Sequence, residues 1–526
     1  MIRDLRHAVR LLLRSKGWTA VVVVSLALGI GANTAIFTAI NSLTLRTLPV
    51  SHPETLVRLR NVGDNEMGNN FSSYGYTTPI DGFDRDTNET FPFAIYQRLR
   101  EANTTMTDLF ACAPQGQLNV IYNGQAEIAS ALLATGNYFD VLGVRARLGR
   151  TFTPDDDRVD APPVVVLSHG YWMRHFGGDP KILGKTLQIA TTTVTVIGVT
   201  APEFTGVQQV LTDARDLTFP LVIDRLYGGG ATATNPARLD QTAAWWLQIM
   251  GRVKPGVTPA QVQANLDGTF QAAARDGWAA YFGTLKPEER STQRNQNRTK
   301  VPQLRVQEGS RGIYDVSTDT YRSITLLGVV VALVLLIVCA NVANLLLSRA
   351  TARQREISVR LSMGATRGRL IRQLLTESVL LSAIGAALGG LVAYWGRQLL
   401  PGNLATAAPI DWRILGFVGA LTLGTGVLFG IAPALRSSRL NVSAMLKDGG
   451  RGVSGGRSRL GKTLVVAQVA TSLVLLVGAG LFLRTVNNLR HVDVGFETEN
   501  LLLVPINPSL NRYEQPRIVN LYGQLF

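Results

Sequence analysis

Long apolar segments alternate with polar ones along the whole chain. Five of these segments come close to the roughly 20 apolar residues that a helix needs to cross a bilayer. They cover residues 19–40, 324–347, 374–400, 414–434 and 463–483. The pattern predicts five membrane-spanning helices, which separate one long polar segment, residues 46–322, from several short ones.

Charge divides the polar segments into two kinds. Residues 1–17 carry five Lys/Arg and one acidic residue, whereas residues 349–372 and 436–462 each carry seven Lys/Arg and one acidic residue. Since the whole chain has a net charge of +15, the remaining residues are close to neutral. Cytoplasmic loops collect Lys and Arg, so these three segments are predicted to be cytoplasmic and residues 46–322 to lie outside.

The basic isoelectric point, near 10.1, comes from these segments beside the membrane. Basic residues in that position orient the helices and meet anionic lipid headgroups. The bilayer is therefore the expected partner of this charge, and nucleic-acid binding is not expected.

The N-terminal residues 2–14 have the pattern of an amphipathic helix. Ile2, Leu5, Val9 and Leu12 share one face, and the arginines lie off that face. Such a helix would lie in the inner membrane interface; a basic flank without fixed structure is the alternative. The apolar run that follows is longer than a signal-peptide core and has no obvious cleavage site, so we expect a retained span.

Residues 46–322 mix helical and strand periodicity, which predicts an α+β domain with two subdomains. Thr258 is a candidate N-cap. The polar segment 64–89 is predicted to be a loop or an insertion, and segment 285–300 is predicted to be mobile. The predicted strands are 56–60, 117–122, 127–134, 163–168, 186–189, 192–199 and 245–253, and the predicted helices are 93–109, 171–176 and 259–274.

An internal repeat closes the chain. Residues 463–490 resemble residues 19–46 in kind, because a basic flank precedes a span with small residues that leads outward. The chain then stops at Phe526, so we expect a truncated second copy.

The whole chain is predicted to have seven parts. They are a cytoplasmic amphipathic helix 1–17, a first span 18–45, an outer domain 46–322, a three-helix membrane region 323–436 containing a cytoplasmic loop 349–372, a cytoplasmic linker 437–461, a span of the second copy 462–484 and the start of a second outer domain 485–526.

One motif matches a nucleotide-binding expression by letters alone. Residues 456–463, GRSRLGKT, fit the P-loop pattern, but a Gly/Ser-rich linker precedes them and a membrane span follows. A P-loop needs a buried strand before it and a soluble helix after it. We therefore expect neither ATP binding nor any other enzyme activity here, and we interpret Lys462 as a topology anchor.

No catalytic or metal-binding constellation is expected either, and no cofactor. The carboxylate run 155–157 is predicted to be a solvated turn, and His169 and His175 have poor spacing for zinc. Cys112 and Cys339 fall in different environments, so no disulfide is expected. Glu377, one turn into the third span, is expected to pair with Arg372 or Arg397 or to reach the interface.

The cytoplasmic segment 349–377 has a distinctive helix–break–helix pattern. A basic helix containing Arg355 and Arg360 is predicted to end near Met363, and Gly364 separates it from a second helix that enters the membrane. Such a basic elbow suits docking onto an acidic or grooved soluble partner. A positive-inside loop that docks nothing is the equally open alternative.

Three segments resemble those of MacB/FtsX-type ABC transporter permeases. They are REISVRLSMGATRGRLIRQLLTE at 355–377, ATGNYFDVLGVRARLGRTFTPDDD at 134–157 and GRVKPGVTPAQVQANL at 251–266. The order of one span, a large outer domain and three spans is similar as well. The start of a second copy resembles the duplicated permeases described from acidobacteria.

The resemblance implies a bacterial inner-membrane permease subunit that works with a separate ABC ATPase. It would pass ATP-driven movement to its periplasmic domain (mechanotransmission), serving efflux or envelope maintenance, with a possible periplasmic adaptor or outer-membrane factor and a possible permease dimer. An FtsX-like regulator of a cell-wall hydrolase is the alternative, and a sensor without energy input is a third. The implied ATPase-docking residues are Arg353, Arg355, Glu356, Arg360, Gly364, Ala365 and Arg369.

Overall fold

The computed structural model of the chain describes residues 2–41, 47–72, 76–77, 87–189, 192–209, 215–227, 237–314, 318–352, 366–396, 412–438, 459–491 and 515–525. The chain divides into two compact units. We call them the helical unit, residues 1–42 with 319–502, and the sheet unit, residues 43–318 with 503–526.

The described helices and strands agree in type with most of the predicted ones. The helices are α1 Ile2–Arg14, α2 Lys16–Ile40, α3 Phe93–Ala102, α4 Tyr138–Leu142, α5 His169–Phe176, α6 Asp224–Tyr227, α7 Pro259–Thr284, α8 Pro287–Arg290, α9 Thr318–Ala352, α10 Arg367–Gly396, α11 Trp412–Ser438, α12 Arg459–Arg490 and α13 Gln515–Leu525. The strands are β1 Leu56–Val62, β2 Asn70–Phe71, β3 Tyr76–Thr77, β4 Thr87–Asn88, β5 Met106–Tyr122, β6 Gln125–Ala134, β7 Ala146–Gly149, β8 Val164–Leu167, β9 Thr186–Ile189, β10 Thr192–Thr200, β11 Gln208–Gln209, β12 Leu217–Pro220, β13 Ala244–Trp245, β14 Gln248–Val253, β15 Gln303–Glu308 and β16 Ile313–Tyr314.

A mixed 12-stranded sheet organises the sheet unit. Its main path runs β3-β4-β1-β14-β5-β6-β12-β8-β10-β7, with β15 added to β1 and β9 pairing with both β10 and β5. The β8–β10 and β6–β12 pairs are parallel, whereas β1 pairs antiparallel with both β14 and β15. The α+β class predicted from the mixed periodicity is therefore confirmed, while a division into two subdomains stays a prediction.

The central strands are buried on both faces. In β5, Phe110 and Cys112 belong to one hydrophobic cluster and Ala111 to another, because successive side chains point to opposite faces. All four residues of β8 are apolar and buried, because this strand also has a hydrophobic cluster on each face of the sheet. Helices α3 and α7 supply Leu99 and Phe270 to the first core, and α4 supplies buried side chains to the second.

Close glycine contacts define the helical unit. A Cβ atom on Gly389 of α10 would lie 2.9 Å from the Ala27 carbonyl oxygen of α2, and one on Gly31 would lie 2.8 Å from the Gly389 oxygen. A Cβ atom on Gly385 would lie 2.6 Å from the Leu26 Cβ. The small residues Gly385 and Gly389, four positions apart on α10, therefore lie at the contact between α2 and α10.

Four described helices are long and apolar enough to cross a membrane: 16–38, 325–346, 371–395 and 465–489. The fourth predicted segment coincides with α11, whose described apolar stretch covers residues 412–427. Several described helices are therefore consistent with a membrane protein in length and composition, and the count of five spans stays a prediction. Helix α12, which is predicted to be the span of a second copy, contacts α9 through a hydrogen bond from Gln468 Nε2 to Asn341 Oδ1 at 2.7 Å.

Three predicted element boundaries are wrong for identifiable reasons, two of them in or next to strands of the large sheet. The helix predicted over 93–109 ends at Ala102, because the Asn103 side chain accepts from the Met106 amide at 2.8 Å and turns the chain into β5. The strand predicted over 245–253 is two strands, since Leu247 forms a separate bridge with Phe91.

The end of segment 285–300 contacts other parts of the sheet unit, while the mobility of the segment stays a prediction. Arg298 Nη1 donates to the Glu66 and Gly68 carbonyls at 2.9 and 2.7 Å, and its guanidinium lies 4.0 Å from the Trp278 ring centre.

Helix α7 extends to Thr284 instead of ending at residue 274, because Gly277 and Trp278 continue its buried face.

Candidate functional site

The predicted docking elbow lies largely outside the described residues. Six of its seven residues, Arg353, Arg355, Glu356, Arg360, Gly364 and Ala365, are not among them. Arg369 is described: its side chain is exposed in the first turn of α10, and its amide donates to the Thr366 carbonyl at 3.1 Å. The structure therefore defines the two flanks of the elbow, and docking stays a prediction.

The flank at the end of α9 is tied to the N-terminal helices by one arginine. Arg349 Nη2 donates to Ser15 Oγ at 2.8 Å and to the Leu11 carbonyl at 3.4 Å, and the guanidinium lies 4.2 Å from the Trp18 ring centre. A guanidinium over an indole face combines a cation–π contact with hydrogen bonds at its edge. We call this cluster the Arg349 joint; it links α1, α2 and the last turn of α9.

The break between α1 and α2 creates the place where Arg349 binds. Ser15 leaves helical geometry, with φ −118° and ψ 58°, and its hydroxyl donates back to the Leu11 carbonyl at 3.2 Å. Thr19 Oγ1 donates to the Leu12 carbonyl at 2.9 Å. Leu12 is 5% exposed and packs with Val22 of α2, which fixes the angle between α1 and α2.

Polar side chains line the buried face of α10 beyond its first turn. Glu377 is buried and accepts a hydrogen bond from Gln373 Nε2 at 3.4 Å. Further along, Ser382 and Thr425 of α11 approach to 3.5 Å between their hydroxyl oxygens. Arg372 is exposed and Arg397 lies outside the described residues, so the expected pairing of Glu377 with either arginine stays a prediction.

The aspartate run 155–157 lies in a helical turn, as the sequence predicts, but Asp156 and Asp157 are half-buried instead of solvated. Arg150 donates to both Asp156 oxygens at 2.7 Å, and Asp156 also accepts from the Thr153 amide at 2.8 Å. Asp157 accepts from the Gly136 and Val222 amides at 2.9 and 2.7 Å, and burial raises its pKa to about 6. These carboxylates are occupied by arginine and backbone N–H groups.

The candidate histidines are engaged separately. His175 contacts the carboxylate of Glu127, and His169 lies edge-on to Trp172 with ring centres 5.6 Å apart. Within the part of the chain that the structure describes, no group of three or more His, Cys, Asp or Glu side chains is arranged for a metal ion.

The described part of the P-loop-like segment belongs to a long helix. Residues 459–463 form the first turns of α12, which continues through the apolar segment to Arg490.

The two cysteines belong to different elements. Cys112 is buried in β5 of the sheet unit, Cys339 lies in α9, and both are free thiols.

Sequence reasoning did not identify Arg349 as a contact residue. It counted Arg349 only as charge in the cytoplasmic loop. The signal that could have pointed to it is Trp18, a single aromatic residue at the predicted membrane boundary, where an indole ring can accept a cation.

Family comparisons match both parts of the chain. Residues 19–269 match the MacB-like periplasmic core domain, and residues 328–442 match the FtsX-like permease C-terminal domain. Together the two matches cover well over half of the chain.

Curated relatives agree with these matches. "Macrolide export ATP-binding/permease protein MacB" of Neisseria meningitidis strain Z2491 is 27% identical over 328 residues, 61% of this chain and 44% of that protein. The protein of the same name from Shigella boydii is 27% identical over 344 residues, 63% of this chain and 45% of that protein. The chain thus spans less than half the length of these relatives.

Solved structures with similarity include the periplasmic region of MacB from Actinobacillus actinomycetemcomitans, at 12% identity and a TM-score of 0.32, covering 55% of this chain and 95% of that one. The extracellular domain of the ABC-type transporter YknZ from Gram-positive bacteria has 13% identity and a TM-score of 0.28, covering 42% and 94%. These scores are low, so the assignment rests on the sequence matches. By those matches, the chain belongs to the MacB/FtsX-type ABC transporter permease family.

Proposed function

We propose that this chain is an inner-membrane permease subunit in which ATP hydrolysis by a separate ATPase drives movement of a periplasmic domain, the sheet unit. The observation that carries the proposal is the Arg349 joint. It ties the helix that leads into the basic elbow to α2, the helix whose chain leads on to the sheet unit. Movement at the elbow would therefore pass from α9 to α2 directly through this side-chain contact.

The elbow residues have the chemistry that this role requires. Arg353, Arg355, Arg360 and Arg369 would present cationic donors to an acidic groove on the ATPase, and Gly364 would supply the bend between two helices. The names of the curated relatives include ATP binding and macrolide export. For this chain, we propose a separate ATPase as the partner and a role in efflux or envelope maintenance.

Tight packing of the helical unit supports movement of helices as bodies. The backbones of α2 and α10 are in close contact at their glycines, so a displacement of one helix would be passed to the other.

We further propose a multi-pass inner-membrane topology with the sheet unit in the periplasm. We also propose pairing with a second permease half, and contact with a periplasmic adaptor or outer-membrane factor.

Co-purification of the ATPase tests the proposal directly. The tagged full-length chain is purified from its native cells, alongside the variant Arg355→Glu/Arg360→Glu. We expect an ABC ATPase to co-purify with the wild type and to be reduced by about tenfold or more in the variant, since two cationic contacts become repulsive. ATP hydrolysis by the purified sample should fall in parallel.

A matched control reverses two arginines in another predicted cytoplasmic segment, Arg439→Glu/Arg451→Glu, which leaves the same net charge. This control should retain the ATPase. If no ATPase accompanies the wild type, or if both double variants retain it equally, the proposed coupling is wrong.

The regulator alternative is less favoured, because the curated relatives are named as macrolide exporters. A pull-down with the full-length chain separates the two roles. Recovery of a cell-wall hydrolase supports the regulator, and recovery of a periplasmic adaptor or an outer-membrane factor supports efflux.

A further inference from the structure

Two of the segments that carry the family resemblance, 134–157 and 251–266, meet at one place in the sheet unit. They meet at residues 47–55, which we call the linker because it follows α2 in the chain and precedes β1. The linker begins on the protein surface at Thr47, and Leu48 is then buried at 2% exposure in the second core. Its amide donates to the Ser310 carbonyl at 2.8 Å, which places it beside the chain that leaves the sheet.

One guanidinium, that of Arg252 in β14, holds the rest of the linker. Arg252 Nη1 donates to the His52 carbonyl at 2.9 Å and to Thr55 Oγ1 at 2.5 Å, and Nη2 donates to the Ser51 carbonyl at 2.7 Å. Its Nε donates to the Val141 carbonyl of α4 at 2.8 Å. The same side chain therefore joins the linker to a strand and to a helix of the sheet unit.

The linker has a tight turn at this point. His52 has a left-handed backbone, with φ 46°, which few residues other than glycine adopt readily. Its carbonyl also accepts from the Thr55 amide at 3.1 Å and from Thr55 Oγ1 at 2.8 Å. Arg252 thus adds a charged donor to a turn that is already strained, which stabilises one conformation of the linker.

The other family segment contacts the same turn. Ser51 Oγ donates to the Gly143 carbonyl at 3.2 Å. Gly143 has φ +67°, and a Cβ atom there would lie 2.7 Å from the Ser51 Cβ, so this residue must be glycine for the linker to lie where it does. The linker also borders a cleft of about 670 Å³, which leaves it room to shift if these contacts are lost.

We infer that Arg252 is a positioning residue that fixes the linker to β14 and α4, so that displacement of α2 moves the whole sheet unit instead of stretching the linker. We call this cluster of Arg252, Ser51, His52, Thr55 and Val141 the linker latch. The inference rests on the proposed function, since it assigns a role within that ATP-driven movement.

Arginine is suited to this task and lysine is not. The planar guanidinium has five donors in a fixed fork, so it can reach acceptors on two sides at once. A lysine ammonium is a single point and would reach the turn or the Val141 carbonyl, but not both. Partial burial lowers the pKa of Arg252, although the group remains cationic at any physiological pH.

The test uses the full-length chain together with the ATPase that co-purifies, in lipid nanodiscs. Spin labels are attached at Val159→Cys and Trp412→Cys, two positions with exposed side chains, in a Cys112→Ala/Cys339→Ala background. The distance between the labels is measured with and without ATP, and ATP hydrolysis is measured on the same samples.

With an intact latch, ATP should change the label distance. Arg252→Gln should reduce that change by about twofold or more while hydrolysis stays within about twofold of the wild type, because the motor is intact and only its output is lost. Arg252→Lys should give an intermediate change. Thr55→Val, which removes one acceptor and keeps the side-chain shape, should act in the same direction if Arg252→Gln fails to fold.

The matched control is Arg98→Gln, since Arg98 forms an exposed pair with Asp276 in the same unit. It should leave both measurements unchanged. If the folded Arg252 and Thr55 variants keep the full ATP-dependent change, the latch is wrong and the proposed function stands. If the wild type shows no ATP-dependent change, the proposed function itself fails.

Discussion

Arg349 illustrates how a single residue can join three helices in this chain. Its hydrogen bond to Ser15 and its contact with Trp18 lie at the break between α1 and α2. We predict that Arg349→Gln raises hydrogen exchange of the backbone amides in residues 11–18 by about tenfold or more, because a charged hydrogen bond and a cation–π contact together contribute roughly 1.5–3 kcal/mol. Hydrogen–deuterium exchange of the full-length chain measures this.

The control for this prediction is Arg413→Gln, because Arg413 also lies over an aromatic ring, that of Trp412, at 5.7 Å. Exchange in residues 11–18 should not change in this variant. Equal exchange in Arg349→Gln and the wild type would show that the joint does not hold the helix break.

Single residues also show what sequence reasoning can and cannot reach. The cap at Thr258 was predictable, because its partner Gln261 is three residues away and the pair forms a capping box. Arg349 and Arg252 were not, because their partners lie 334 and about 200 residues away in the chain. Local patterns carry no information about which distant carbonyls a folded chain brings to an arginine.

At the level of helices, adjacent glycines in α10 offer a direct test of packing. A Cβ atom on Gly389 would meet the Ala27 carbonyl at 2.9 Å, whereas one on Gly390 would meet nothing within 4 Å. We predict that Gly389→Ala lowers the stability of the full-length chain by about 1–3 kcal/mol, since the two backbones must move apart.

Gly390→Ala is the control and should be neutral or slightly stabilising, because alanine favours a helix. Thermal unfolding in detergent, followed by the loss of monodisperse protein, compares the two variants. Equal unfolding temperatures would mean that α2 and α10 do not approach as closely as described.

Element types followed from periodicity, and element ends often did not. The apolar runs and the alternation in 117–134 were enough to predict helices and strands correctly. The end of α3 depends instead on hydrogen bonds of the Asn103 side chain, and the position of residues 298–300 depends on Glu66, which accepts from the Thr299 and Lys300 amides. These contacts override local polarity, which is the only signal that the sequence offers at those positions.

For the whole molecule, charge and hydropathy predicted a helical membrane part and an α+β domain, and the structure has an α+β sheet unit and several long apolar helices. The sheet order was beyond sequence reasoning, because β1 pairs with β15 about 250 residues later in the chain. The docking elbow was predicted from its residues and its resemblance, and six of its seven residues fall outside the described part of the chain.

The sidedness of the molecule is the premise shared by every functional proposal. Three basic segments should stay in the cytoplasm, because Lys and Arg beside a span resist translocation. We predict that a membrane-impermeant maleimide labels Asp140→Cys in intact spheroplasts and labels Ser358→Cys only after the membrane is permeabilised, both in the Cys112→Ala/Cys339→Ala background. Asp140 is exposed in the sheet unit, so burial cannot protect it. Permeabilised samples provide the control, since both positions should then react. Labelling of Ser358→Cys but not Asp140→Cys in intact spheroplasts would show the opposite topology. The elbow would then lie away from any cytoplasmic ATPase, and the linker latch would lie on the cytoplasmic side of the membrane.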